Sequence, residues 1–169
     1  MELQSSYKPT RRPRVSFGMI RAVVLLCLPL AAQNNTGYLS VGEPQKVAAK
    51  RGAAVQARIP MDVKSGYHVN SNTPNDEYLI PLKLTWKATG ALEAGTVLYP
   101  KPAQEKYEFS EKPLSVYTGK FEVTANFKVK PDAAAGPGAA VGQLRYQACS
   151  DRACFPPKTV EVTVPYSVQ

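Results

Sequence analysis

Cys149 and Cys154 are separated by four residues in the run Leu144-Arg145-Tyr146-Gln147-Ala148-Cys149-Ser150-Asp151-Arg152-Ala153-Cys154-Phe155-Pro156-Pro157-Lys158. Two thiols this close suit one reaction above others. A thiolate attacks a disulfide sulfur of another molecule, and the second thiol resolves the mixed disulfide. A bond between them would close a loop of about six residues, which the chain-entropy model values at roughly 2 kcal/mol. That is weak as a staple and well suited to a pair that must stay adjacent while its bond opens and closes. Arg152 and Lys158 favour a thiolate, Asp151 opposes them, and Pro156-Pro157 stiffens the exit. Spacing alone leaves both an exchangeable pair and an inert structural disulfide open.

His68 is the only histidine among the 169 residues, and there are three cysteines. This excludes multi-histidine metal centres and four-ligand Cys/His zinc sites. A site built from Cys149, Cys154 and His68 would lack a fourth ligand, so no metal is expected, and the exchange chemistry requires no organic cofactor. His68 follows Gly66-Tyr67, where it could tune the cysteines' protonation or be an ordinary turn histidine. Tyr146, at the end of the strand entering the pair, is a second candidate for tuning. Trp86, at an inward strand position, reads most simply as core.

The elements that must hold this chemistry begin after an address. Residues 1–32 read as a secretory signal peptide: basic residues, an apolar stretch from Ala22 to Leu30, then Ala31-Ala32. Met19 offers an alternative start, with Arg21 as its basic region. Pro29 and the missing polar face argue against a buried helix, and bulky Leu26 argues against lipid attachment at Cys27. The signal carries five basic residues (Lys8, Arg11, Arg12, Arg14, Arg21) and Glu2, so it holds half of the net charge of +8. No Lys/Arg cluster with interleaved aromatics remains, and no nucleic-acid partner is expected. The expected location is the periplasm or the exterior, with no stable membrane insertion once the signal is removed. Two cysteines then remain, in an oxidising compartment.

Residues 33–44 read as a flexible lead-in and 45–169 as one domain. The apolar period there is two. Val55, Ala57, Ile59, Met61 and Val63 alternate with polar residues, as do Leu82, Leu84 and Trp86; Phe121 through Val129; Leu144, Tyr146 and Ala148; and Val160, Val162 and Val164. Val97-Leu98-Tyr99 and Leu114–Tyr117 add shorter candidates. About seven to nine strands with Gly/Pro turns predict an all-β antiparallel sandwich, with a small barrel as the alternative. Residues 131–140, rich in Pro, Gly and Ala, read as a low-complexity loop.

Tyr146-Gln147-Ala148-Cys149 and Cys154-Phe155-Pro156-Pro157 closely resemble the N-terminal periplasmic domain of the thiol:disulfide interchange protein DsbD. So does Gly66-Tyr67-His68-Val69-Asn70-Ser71-Asn72-Thr73-Pro74, continuing through Asp76–Pro81. The resemblance runs from about Gly42 to Val164. It implies an immunoglobulin-like sandwich with a redox-active Cys149–Cys154 disulfide at one end. Cys154 would be the partner-facing nucleophile and Cys149 the resolving thiol. It also implies a cap loop, matched by Lys106–Glu111, that lays an aromatic over the disulfide: Phe109 first, Tyr107 second. The implied partners are periplasmic thioredoxin-fold proteins and a membrane thiol-electron transporter. Two departures stand out: the best-known members have one more residue between the cysteines, and the membrane-spanning and thioredoxin-like domains of a full interchange protein are not in this sequence. The competing reading is a non-catalytic immunoglobulin-like binding module with a structural disulfide. If the N-terminal reading holds, protein recovered from its native envelope begins near Gln33. Intact mass checks this: a species retaining residues 19–32, or a lipid on Cys27, would refute it.

Overall fold

The computed structural model describes residues 37–169, and the signal-peptide reading of residues 1–32 lies outside them. Twelve strands follow one another: β1 (Leu39–Val41), β2 (Val47–Ala49), β3 (Ala54–Val63), β4 (His68–Asn70), β5 (Lys83–Ala88), β6 (Leu92–Leu98), β7 (Ala103–Glu105), β8 (Leu114–Tyr117), β9 (Lys120–Val129), β10 (Gly136–Tyr146), β11 (Ala148–Cys149) and β12 (Lys158–Val168). They form three four-stranded sheets, ordered β1-β3-β9-β6, β2-β12-β10-β5 and β11-β4-β8-β7. Every pairing is antiparallel except β2 with β12. The fold is all-β and immunoglobulin-like.

The two larger sheets face each other, and the period of two explains why. On β3, Ala57, Ile59, Met61 and Val63 are buried while Gln56, Arg58, Pro60 and Asp62 are exposed. On β9, Val123, Ala125, Phe127 and Val129 are buried, with Ile59 opposite Val123 and Ala57 opposite Ala125. The facing sheet contributes Leu84, Leu144, Val160, Val162, Val164 and Tyr166 to the same core. Trp86 of β5 meets Phe127 of β9 edge-on across the sandwich, centroids 4.8 Å apart. The third, smaller sheet carries the cysteine segment: β10 gives way at Gln147 to β11, which pairs with β4.

The twelve strands exceed the seven to nine read from the sequence, and two segments read as irregular are strands. Within the segment read as a flexible lead-in, Leu39–Val41 is a strand, with Leu39 fully buried opposite Val63. One large apolar side chain is enough to anchor three residues that carry no readable period. Within the segment read as a loop, Gly136–Ala140 opens β10 and pairs with Val164–Val168. Its small residues make room for the Tyr166 ring, since a Cβ on Gly138 would lie 2.4 Å from Tyr166 Cζ. The Tyr166 hydroxyl in turn accepts a 2.8 Å hydrogen bond from the Ala91 amide. Gly138→Ala is therefore expected to displace that ring and lower stability by about 1–3 kcal/mol. Denaturant midpoints of the variant and the parent chain check this, and an unchanged midpoint would mean the ring moves aside freely.

Candidate functional site

The site begins at the handover from β10 to β11. Gln147 lies between the two strands, and its side chain fastens three segments together. Its Oε1 accepts from Asn70 Nδ2 and from the Ile80 amide, each at 3.0 Å, and its Nε2 donates to the Phe155 carbonyl at 3.2 Å. The Asn70 amide also donates to the Gln147 carbonyl at 3.2 Å, extending the β4–β11 ladder. Beyond Cys149 the chain turns back at once. Ser150 N donates to Ala153 O and Phe155 N to Ala148 O, each at 2.9 Å. Cys149 and Cys154 are thereby bridged as an antiparallel pair, with Cα atoms 3.9 Å apart and a disulfide of S–S 2.00 Å. Cys149 is 0% exposed, while Cys154 keeps partial access to solvent.

His68 lies directly opposite Cys149 on β4. It is only 2% exposed, and Tyr107 stacks on its ring at 3.9 Å. Phe109 lies beside this pair with its ring nearly parallel, 5.8 Å from Tyr107 and 6.4 Å from His68. Phe109 is 38% exposed, so Tyr107, the second candidate for the cap, is the ring nearer the buried histidine. The loop is tied down locally: Lys106 Nζ donates to the carbonyls of Ser110 at 2.6 Å and Glu111 at 2.5 Å. The Tyr107 hydroxyl donates to the Glu105 carboxylate. Burial, and then that carboxylate, push the Tyr107 phenol well above its ordinary range. Burial also holds His68 below its ordinary 6.5, with Glu105 pulling the other way. Its Nε2 is buried with no hydrogen-bond partner.

A second aromatic group packs beside the hairpin's return. Phe155 stacks on Tyr38 at 4.7 Å, Tyr67 packs against both, and Lys158 Nζ stands 4.9 Å over Tyr38. An open groove runs between the two groups, lined by Tyr38, Lys64, Tyr67, His68, Glu105 and Tyr107. Tyr146 is fully buried within the sandwich core. Among the described residues, no three His, Cys, Asp or Glu side chains gather as a metal cluster would require. The structure gathers Cys149, Cys154, His68, Tyr107 and Phe109 at one end of the fold. Sequence reading overlooked Gln147 and Asn70 as fasteners, although both sit inside the quoted motifs. Glu105 and Tyr38 carried no local signal at all.

Residues 36–165 match the family described as "Thiol:disulfide interchange protein DsbD, N-terminal", and the chain belongs to that family. No curated protein sequence matches it. Among solved structures, it is similar to the N-terminal periplasmic domain of ScsB from Proteus mirabilis, with 12% identity and a TM-score of 0.52 over 78% of this chain. The match spans 48% of that structure, so this chain corresponds to about half its length. The reduced DsbD n-terminal domain of Neisseria meningitidis is matched at 17% identity and a TM-score of 0.44, over 80% of this chain and 93% of that one. The seventh ScaB type I cohesin of Pseudobacteroides cellulosolvens is matched at 19% identity and a TM-score of 0.42, over 78% and 92% of the two chains.

The hairpin is closed by its own backbone bonds as well as by the sulfur–sulfur bond. Reduction should therefore cost only about 2 kcal/mol, the entropy of a small loop, and leave the sandwich folded. Denaturant midpoints with and without reductant check this. Complete unfolding on reduction would assign the disulfide to structure.

Proposed function

We propose that the Cys149/Cys154 pair exchanges disulfides with other proteins, carrying reducing equivalents in the bacterial envelope. The observation that carries this reading is the unequal exposure of the two sulfurs' residues on a hairpin held by its own backbone bonds. Cys154 keeps access to solvent and Cys149 has none. In the reduced domain, the Cys154 thiolate attacks a partner disulfide, forming a mixed disulfide and releasing one partner thiolate. Cys149 then attacks Cys154 Sγ, the mixed bond breaks, and the second partner sulfur leaves. Two electrons pass to the partner, and Cys149–Cys154 closes. The hairpin bonds support this reading because they keep the thiols adjacent when the bond is open.

The partners that fit this chemistry and this family are periplasmic thioredoxin-fold proteins, with a membrane thiol-electron transporter as the electron source. Export follows from the same family reading, and no helix among the described residues is long and apolar enough to cross a membrane. Tyr107 and Phe109 form the proposed cap. They shield the pair by apolar area, on a loop whose position between Glu105 and Pro113 lets it swing without disturbing the core.

In a glutathione redox buffer the pair is expected to show a potential above about −300 mV, the range of exchangeable bonds. Cys149→Ser should accumulate a mixed disulfide with a thioredoxin-fold partner, because the resolving thiol is gone, and Cys154→Ser should not. Phe109→Ala should speed alkylation of the reduced pair while costing less than the roughly 3–5 kcal/mol of a core Phe truncation. A potential well below that boundary, with no trapped species, would instead identify a binding module with a structural disulfide.

A further inference from the structure

We infer that His68 is the base that takes the proton from Cys149 when the mixed disulfide is resolved. This deepens the exchange reading and rests on it. Directly paired residues of an antiparallel ladder project to the same side of the sheet, with Cβ atoms about 4.5–5.5 Å apart. His68 and Cys149 are such a pair. Their neighbours on the two strands, Val69 and Ala148, form the next pair and belong to the main core cluster, which contains neither His68 nor Cys149. The two strands therefore divide their duties by face. One face packs the core, and the other brings an imidazole beside the buried thiol, beneath the Tyr107 ring.

Resolution requires a thiolate at Cys149, and Cys149 is fully buried. Burial disfavours thiolate formation, and water has no ready access to collect the proton. His68 has the properties of the missing acceptor. Burial keeps it neutral at neutral pH, and its Nε2 has no hydrogen-bond partner. An unpaired buried nitrogen costs stability, and this one belongs to the residue paired with Cys149 across the ladder. Asn70 Oδ1 and Trp86 Nε1 are likewise unpaired, but neither titrates.

The step balances. The Cys149 S–H proton passes to His68, and the resulting thiolate attacks Cys154 Sγ. The bond from Cys154 to the partner breaks, and the departing partner thiolate takes the proton back from the imidazolium. The Glu105 carboxylate, held by the Tyr107 hydroxyl, offsets the transient positive charge. The charged and titratable groups around His68 are Glu105 on β7, Tyr107 on the cap, Cys149 on β11, and Asp62, Lys64, Tyr67 and Asp151 along the groove. On the β8 side, Thr118 and Gly119 line the same groove and carry no charge. Glu105 is the one that reaches His68 electrostatically.

The test uses the fully reduced protein and dithionitrobenzoate, an aromatic disulfide whose released thiolate is coloured. Attack by Cys154 releases the first thiolate at a rate proportional to reagent. Resolution by Cys149 releases the second at a rate independent of reagent. In the parent chain the second phase is expected to rise with pH only until His68 is neutral, and then to level off. In His68→Gln it should be slowed by roughly 10²-fold at neutral pH and should keep rising tenfold per pH unit, as direct ionisation of the thiol demands, while the first phase is unchanged. His68→Asn should behave the same way, and the parent profile decides the question alone if neither variant folds. A second phase in the parent that rises log-linearly through neutrality, or a variant with the parent's rate and profile, would overturn the role of His68. Absence of any reagent-independent second release in the parent would overturn the exchange reading itself.

Discussion

The site depends on one transfer of backbone: at Gln147 the chain leaves the β10 ladder of one sheet and joins β4 in another. A chain that changes sheets must break its ladder for a residue, and that residue's surroundings lose regular hydrogen bonds unless something replaces them. Here the replacement is the Gln147 side chain, which reaches Asn70, Ile80 and Phe155 at once. It acts as a local piece of ladder, joining the incoming strand, the loop after β4 and the returning arm of the hairpin. Those bonds fasten the junction of β10 and β11 to β4, to the loop after it and to the hairpin's return.

This arrangement keeps fold and chemistry on separate accounts. Folding free energy comes from apolar burial between the two large sheets, where Ile59, Val123, Phe127, Leu144 and Val162 interlock. The hairpin lies at the end of that core and joins it through Ala148 and Phe155. A bond that opens and closes in every cycle is best placed where its state changes the total stability least. The four-residue separation of the cysteines meets that requirement, because a small loop gives up little entropy when its bond is cut.

Much of this was legible in the sequence. The long strands announced themselves because ten or eleven residues give several turns of the period-two pattern, as in β3, β9 and β12. The short strands did not: β2, β4 and β7 have three residues each, too few to show any period, and their pairing is decided by distant partners. Gly136–Ala140 read as a loop because glycine and proline disfavour strands on average, whereas here small residues are needed under the Tyr166 ring. The cysteine pair was visible from spacing and motif, and its family from the same letters. The place of His68 was not, because it depends on which residue of β4 stands opposite Cys149. A shift of one residue would have turned the imidazole toward the core and a valine toward the sulfur. Gln147 was in plain sight, but nothing in a string of letters says that a glutamine completes a ladder.

That dependence on register gives the alternation of β4 and β11 its consequence. Val69 and Ala148 are committed to the core, so neither strand can slip without expelling apolar side chains into the site. The core thereby holds the buried His68 and Cys149 in place. Tyr107 then stacks on the histidine, and its hydroxyl donates to the Glu105 carboxylate at the end of β7. A cap tied through Glu105 is coupled to the charge of the ring beneath it. A proton on His68 strengthens the attraction of Glu105 to the imidazolium, in competition with the hydrogen bond that Tyr107 donates to the same carboxylate. In the reaction proposed above, the imidazolium and the Tyr107 hydroxyl would therefore both draw on the one Glu105 carboxylate.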